Sequence, residues 1–293
     1  MEKMHPHLCA RKLLMPLLTI LLLIQLPGCA FKRITRSKNI TYQTANPAKQ
    51  QDQQQLNIFA PHRHRQLKEV IIFIHGGNWN NGKKSLYNFF GSRMARKDVV
   101  MVVIDYPLSP KAGYKDMAMA AATSVQWVQA HIADYGGDPN KIYVSGHSAG
   151  GHLAALIGLD DHYFKALGMQ TNPIKGLILI DAAGLDMYNY LQAGDYGQDD
   201  TYLQTFSKDP KAWKDATPLY HIHPGMPPML LFQGGRTYPS ISRSNEKFVA
   251  ALHKIDVHPA YYIVKGKKHV AMITQFFNVY NPRYKQILGF MKK

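Results

Sequence analysis

Residues 141–151 read Lys-Ile-Tyr-Val-Ser-Gly-His-Ser-Ala-Gly-Gly, and a helical pattern, residues 152–156, follows at once. Strand-forming side chains therefore run straight into Gly146-x-Ser148-x-Gly150 and out again into a helix. A serine on so tight a strand-to-helix turn is forced into strained backbone geometry, so its neighbours must lack bulk; Gly146 and Gly150 supply that, and Ala149 adds little. The turn lifts the Ser148 hydroxyl above a sheet, and the helix starts beneath it with unpaired amides. A chain built around this stretch needs a sheet with helices packed against it.

The rest of the sequence supplies both. Residues 70–74, 99–104, 177–180 and 228–232 are short continuous apolar runs, the pattern of strands buried on both faces. Residues 260–264 read as the last strand. Between the runs lie helical stretches at residues 84–96, 117–133 and 245–254, and a closing helix falls within 273–291. Asp138-Pro139-Asn140 turns the chain into the strand that carries the serine. This alternation predicts an α/β domain with a mostly parallel sheet covered on both faces. Ligands of such sheets sit beyond the carboxyl ends of the strands, where His75, Ser148 and Asp181 all fall.

Residues 186–227 show no clear periodicity but carry Tyr188, Tyr190, Tyr196, Tyr202, Phe206 and Trp213. Two readings stand: an aromatic cover over a pocket, or an irregular loop packing on itself.

The N-terminal segment has a targeting pattern. Arg11-Lys12 precede an apolar run, residues 13–26, that is short for a membrane-spanning helix. It ends in Leu26-Pro27-Gly28-Cys29-Ala30, which resembles the lipobox of bacterial lipoproteins, where cleavage precedes a cysteine that then carries lipid. The expected division is a signal peptide over residues 1–28, a polar tether with an edge strand near residues 39–44 over 29–55, and the catalytic domain over 56–293. An uncleaved membrane anchor is the other reading. Either places the domain outside the cytoplasm, held to a bacterial membrane, by Cys29 in the first case.

Cys9 and Cys29 are the two cysteines, so the body of the protein has no disulfide framework, and no Cys/His cluster has zinc-ligand spacing. The formal net charge is +16. The basic residues are scattered rather than gathered in a run, which argues for a solvated surface lying against an anionic membrane and against a nucleic-acid partner.

Acyl transfer through serine needs a nucleophile, a base with an orienting partner, and donors for the oxyanion. Ser148 is the candidate nucleophile. His75-Gly76-Gly77 at the end of another strand brings the amides of Gly77 and Asn78 close to a substrate, and the Ala149 amide opens the helix after the serine.

His75-Gly76-Gly77-Asn78-Trp79, Asp138-Pro139-Asn140-Lys141-Ile142 and Gly146-His147-Ser148-Ala149-Gly150-Gly151 resemble the α/β-hydrolase esterases, in particular the His-Gly-Gly-x-Trp group of carboxylesterases, feruloyl-esterase-like proteins and kynurenine formamidases. The resemblance implies an eight-stranded sheet and a Ser–His–Asp triad with no metal or organic cofactor. Gly266-Lys267-Lys268-His269 matches the family's Gly-x-x-His, which makes His269 the expected base. The family's usual acid position falls on Thr237, which cannot carry a charge. Asp181, directly ending a buried strand, resembles the acid position of some lipases of the same fold; Asp186 is the alternative. The implied activity is hydrolysis of a small-molecule carboxylic ester. Amide or formamide hydrolysis would use the same machinery, and an inactive binding protein is the reading that the missing acid at Thr237 would favour.

Overall fold

The protein is described by a computed structural model over residues 32–49, 51–62, 66–194, 196–197 and 200–293. The expected lipidation site, Cys29, and the rest of the targeting segment lie outside the described residues. Among those described, no helix is long and apolar enough to cross a membrane.

Eight strands form one sheet: β1 (Ile34–Gln43), β2 (Gln54–Pro61), β3 (Lys68–Ile74), β4 (Val100–Ile104), β5 (Gly137–His147), β6 (Ile174–Ile180), β7 (Met229–Gly234) and β8 (Ala260–Val264). The spatial order is β1-β2-β4-β3-β5-β6-β7-β8. β2 runs antiparallel to β1 and β4, and all pairs from β4 across to β8 are parallel. This is the α/β-hydrolase fold, with helices on both faces. The edge strand is longer than its sequence suggests: β1 starts at Ile34, and its pairing with β2 takes residues 54–55, expected in the tether, into the sheet. Asp138-Pro139-Asn140 lies inside β5 as an irregularity where the register against β3 jumps from Lys68↔Gly137 to Val70↔Ile142. The Asp138 carboxylate accepts the Asn140 amide there, the local turn expected of those residues.

The apolar runs are strands because alternate residues go to opposite cores. Val70, Ile72, Ile74, Leu177 and Leu179 face one cluster, and Ile71, Phe73, Ile178 and Ile180 the other. Full burial of each such side chain contributes about 1.5–3 kcal/mol. The first face is covered by α2 (Tyr114–His131) and α3 (Ala149–Leu159), the second by α1 (Asn88–Ala95) and the C-terminal helical segments. α4 (His162–Ala166) leads from α3 towards β6.

Residues 186–227 resolve into short helices, α5 (Met187–Gln192), α6 (Thr201–Phe206) and α7 (Pro210–Asp215), then a 3-10 turn at Pro218–His221. None spans two full heptads, which is why no period shows in the sequence. The segment caps the first core: Met187, Leu191 and Phe206 are buried in it. The chain returns through α8 (Pro239–Lys254), α9 (Ala271–Thr274), a 3-10 turn at Gln275–Phe277, and α10 (Pro282–Phe290).

Candidate active site

Ser148 stands between β5 and α3 with φ 56° and ψ −123°, a conformation that costs a non-glycine residue about 1–3 kcal/mol. The surroundings hold it there. Its amide donates to the Ile180 carbonyl, and its own carbonyl accepts from His152 and Ala183. A Cβ on Gly146 would overlap the Gly150 carbonyl, and one on Gly150 would overlap the Ile74 carbonyl. The two glycines thus let the turn close on itself and let α3 approach β3.

His269 lies in the loop after β8, which is pinned to the loop after β7 by Gly235 N–H to Val264 O and Arg236 N–H to Lys267 O, both 2.9 Å. Its Nε2 is 2.8 Å from Ser148 Oγ and its Nδ1 is 2.6 Å from Asp181 Oδ2. With Nδ1–H donating to the carboxylate, Nε2 is left to accept the serine proton. Asp181 follows β6 directly and is completely buried. Its Oδ1 accepts the Gly234 amide at 2.7 Å, and Oδ2 also accepts the Thr237 hydroxyl at 2.5 Å. A buried carboxylate is therefore matched by three donors, as desolvation of the charge demands.

Asp186 is held elsewhere. Its Oδ2 meets Lys247 Nζ at 2.7 Å and its Oδ1 accepts from Asn189, which ties the cap to α8.

Gly77 (φ 135°) and Asn78 (φ 50°) line the same cavity as Ser148 and His269. Their loop is anchored from behind: His75 Nδ1–H donates to the Gly76 carbonyl, and the Tyr106 hydroxyl donates to the His75 carbonyl under a stacked Tyr106 ring. Burial lowers the His75 pKa, with the hydrogen bond to Gly76 acting the other way. Ala149 is buried as the first residue of α3, so its amide is one of those without an intrahelical acceptor.

Two histidines that carried no sequence signal support the site. His147 donates Nε2–H to the His269 carbonyl at 3.2 Å, and the two rings stack at 4.7 Å. Burial, then the neighbouring His269, pushes His147 down to about 3, so it stays neutral. His152 accepts the Trp79 indole N–H on Nδ1 and donates Nε2–H to the Ala216 carbonyl, joining the glycine loop to the cap. Neither contact is visible in spacing, because one partner lies 73 and the other 64 residues away.

The cavity above Ser148 has a volume of about 1060 Å³. Tyr190, Tyr196 and Tyr202 of the cap form one wall, with ring centroids 5.2 and 5.9 Å apart from Tyr202. The two readings of this segment divide it: residues between Asp186 and Tyr202 line the pocket, whereas none beyond Tyr202 does. Tyr188 and Trp213 pack within the segment instead. Arg243 and Lys247 reach the cavity from α8. Among the described residues no group of His, Cys, Asp or Glu is arranged to hold a metal.

The sequence matches the BD-FAE family over residues 56–242. It is 26% identical over 245 residues to the isoprenylcysteine alpha-carbonyl methylesterase of Arabidopsis thaliana, covering 77% of this chain and 56% of that protein. With esterase LipC of Mycobacterium tuberculosis the identity is 30% over 177 residues, 57% of this chain and 44% of that one. The chain spans about half the length of the curated relatives it matches. Among solved structures, the inhibited esterase B of Lactobacillus rhamnosis superposes with a TM-score of 0.73 at 17% identity, covering 95% of this chain and 94% of that one. The match takes in the glycine loop, the serine turn, Asp181 and the whole cap, and so the chain belongs to the BD-FAE family.

Proposed function

We propose that this protein is a serine hydrolase that cleaves carboxylic esters through Ser148, His269 and Asp181. The observation that carries the reading is the continuous chain of hydrogen bonds from Ser148 Oγ through His269 to the buried Asp181 carboxylate. Ser148 attacks the ester carbonyl as His269 Nε2 takes its proton. Asp181 stabilises the imidazolium that forms, and the amides of Gly77, Asn78 and Ala149 receive the oxyanion. Each such amide donor is worth about 3 kcal/mol in the transition state. His269 then returns the proton to the leaving alcohol, and water, activated by the same imidazole, releases the acid from the acyl-serine. The relatives named esterases support this activity. A cavity of about 1060 Å³ lies at the upper end of ordinary small-molecule sites.

The pattern at residues 13–30 supports attachment to the outer side of a bacterial membrane through a lipid on Cys29. One acyl chain binds only marginally, so stable anchoring expects more than one there. Metabolic labelling with palmitate checks this; an unlabelled wild-type chain would refute it.

A fluorophosphonate probe should label the wild-type protein and not Ser148→Ala, and a panel of p-nitrophenyl esters of rising chain length should be turned over only by the former. Undiminished hydrolysis by a well-folded Ser148→Ala would remove the reading. Labelling without turnover of any ester, but with turnover of an anilide or formamide, would move the substrate class and leave the site.

A further inference from the structure

We propose that the rim of the cavity and the apolar strip leading from it form a docking surface for an anionic lipid bilayer, so that the site opens onto the membrane. Leu86, Tyr238 and Val270 line the cavity while remaining 58%, 59% and 62% exposed, so they stand at its mouth. The strip continues outward on two helical segments. Phe89 follows Leu86 by three residues, and Phe277 follows Val270 by seven. The outer pair closes face to face: Phe89 and Phe277 stack at 3.8 Å, and Phe277 is still 55% exposed. Large apolar side chains gathered at the edge of a pocket mark a surface that something apolar covers.

The charge of these segments says what. Between Glu69 and Asp98 the sequence has no acidic residue but has Lys83, Lys84, Arg93, Arg96 and Lys97. After Asp256 there is none to the end of the chain, against Lys265, Lys267, Lys268, Arg283, Lys285, Lys292 and Lys293. The two segments pack together through Phe90 on Phe276 and Tyr284. Lys84 is matched by Asp105, which lies outside both. The positive charge that looks scattered in sequence thus belongs largely to two segments that pack against each other and carry the exposed Leu86, Val270 and Phe277: twelve basic residues and no acidic one. That pairing of basic and apolar side chains is what the headgroup and acyl layers of an anionic membrane take up together. A nucleic acid would use the charge and leave the apolar strip uncovered. Delivery of membrane-borne esters to Ser148 rests on the proposed function; the docking itself does not.

The test uses the full-length chain, so that anchoring and docking are read apart. Phe277→Trp places a reporter on the strip, and Asn140→Trp places one at the opposite ends of the parallel strands. With vesicles of about 30% anionic phospholipid and brominated acyl chains, the Phe277→Trp signal should be quenched beyond wild type and the Asn140→Trp signal should not. Raising salt to about 0.5 M should weaken the quenching, since it shortens the Debye length. Equal quenching at both positions, none at Phe277, or binding to heparin without quenching on any vesicle would overturn the proposal. Phe277→Glu should lower turnover of a vesicle-borne ester about tenfold while leaving a soluble short-chain ester unchanged, because Phe277 lies outside the cavity. Equal effects on both esters would overturn it as well. A wild-type chain that cleaves neither ester strikes the esterase reading alone, and the quenching still decides the docking.

Discussion

Thr237 donates its hydroxyl to the same oxygen of Asp181 that receives His269 Nδ1, at 2.5 and 2.6 Å respectively. Two strand ends converge on that carboxylate: β6 supplies Asp181, and the end of β7 donates to it, Gly234 N–H to Oδ1 and the Thr237 hydroxyl to Oδ2. The position where similar enzymes carry an acid is therefore not vacant. It supplies a neutral donor that fixes a carboxylate contributed by the preceding strand.

Thr237 carries no charge, yet its hydroxyl is one of the three donors that hold the Asp181 carboxylate. A hydrogen bond to a charged group is worth about 1.5–3 kcal/mol, and Thr237→Val removes it while keeping the side-chain shape. We expect kcat to fall about tenfold in Thr237→Val and to be retained in Thr237→Ser. In an Asp181→Asn background, Thr237→Asp should restore part of the lost rate, because a carboxylate from that position reaches the same side of His269. Steady-state kinetics on one soluble ester decide it. Equal activity of the valine and serine variants would show that the hydroxyl does nothing.

Asp181 and Asp186 separate cleanly by substitution. Asp181→Asn leaves His269 without its charged partner and should lower kcat by up to about 10⁴-fold. Asparagine also tolerates the φ of 47° at this position, so the backbone has no reason to move. Asp186→Asn breaks the pair with Lys247, whose side chain is half exposed, and loosens the cap. It should raise KM several-fold and leave kcat within the same range, since no contact reaches His269. A kcat collapse in Asp186→Asn alone would reverse the assignment.

The serine turn was legible because it is local: Gly146, Ser148, Ala149 and Gly150 lie within five residues, and the steric demands of one turn select them. The strands were legible because burial on both faces leaves continuous apolar runs. Asp181 could be picked out only as a residue ending such a run, at a position resembling the acid of some lipases, and nothing local in the sequence separates it further from Asp186, five residues on. The distinction lies in partners 53 to 88 residues away, namely Gly234, Thr237 and His269. The cap was illegible for another reason. Its helices are six residues long, too short for a 3.6-residue period to register, and their order comes from Phe206 and Met187 packing into the core.

Gly150→Ala tests the packing beneath the nucleophile. Its Cβ would meet the backbone carbonyls of Ile74 and His75, and neither can rotate away as a side chain would. We expect a loss of about 2–4 kcal/mol in unfolding free energy, or failure to accumulate as folded protein. Urea denaturation measures it. A variant as stable as wild type would mean that α3 and β3 leave room for a methyl group between them.

His152 gives the pH dependence of stability a definite sign. Burial pushes its pKa down to about 4, against the upward pull of its hydrogen bond to Ala216 and with a further lowering from His221. In the unfolded chain the group titrates near 6.5. Between those values the unfolded state binds the extra proton, so stability rises with pH through this window. The contribution is complete above 6.5, is lost progressively as pH falls, and levels off below 4. His147, held down to about 3, acts in the same direction and extends the loss to lower pH. Glutamine at position 152 can accept the Trp79 indole proton and donate to the Ala216 carbonyl without titrating. His152→Gln should therefore flatten the curve of unfolding free energy between about pH 6.5 and 4 by up to one proton's worth of slope, while the carboxylates common to both proteins cancel in the comparison. Chemical denaturation across that range, at constant ionic strength, supplies the two curves. Parallel curves would show that protonation of His152 does not strain the Trp79–His152–Ala216 link, and that the cap and the glycine loop are joined by something else.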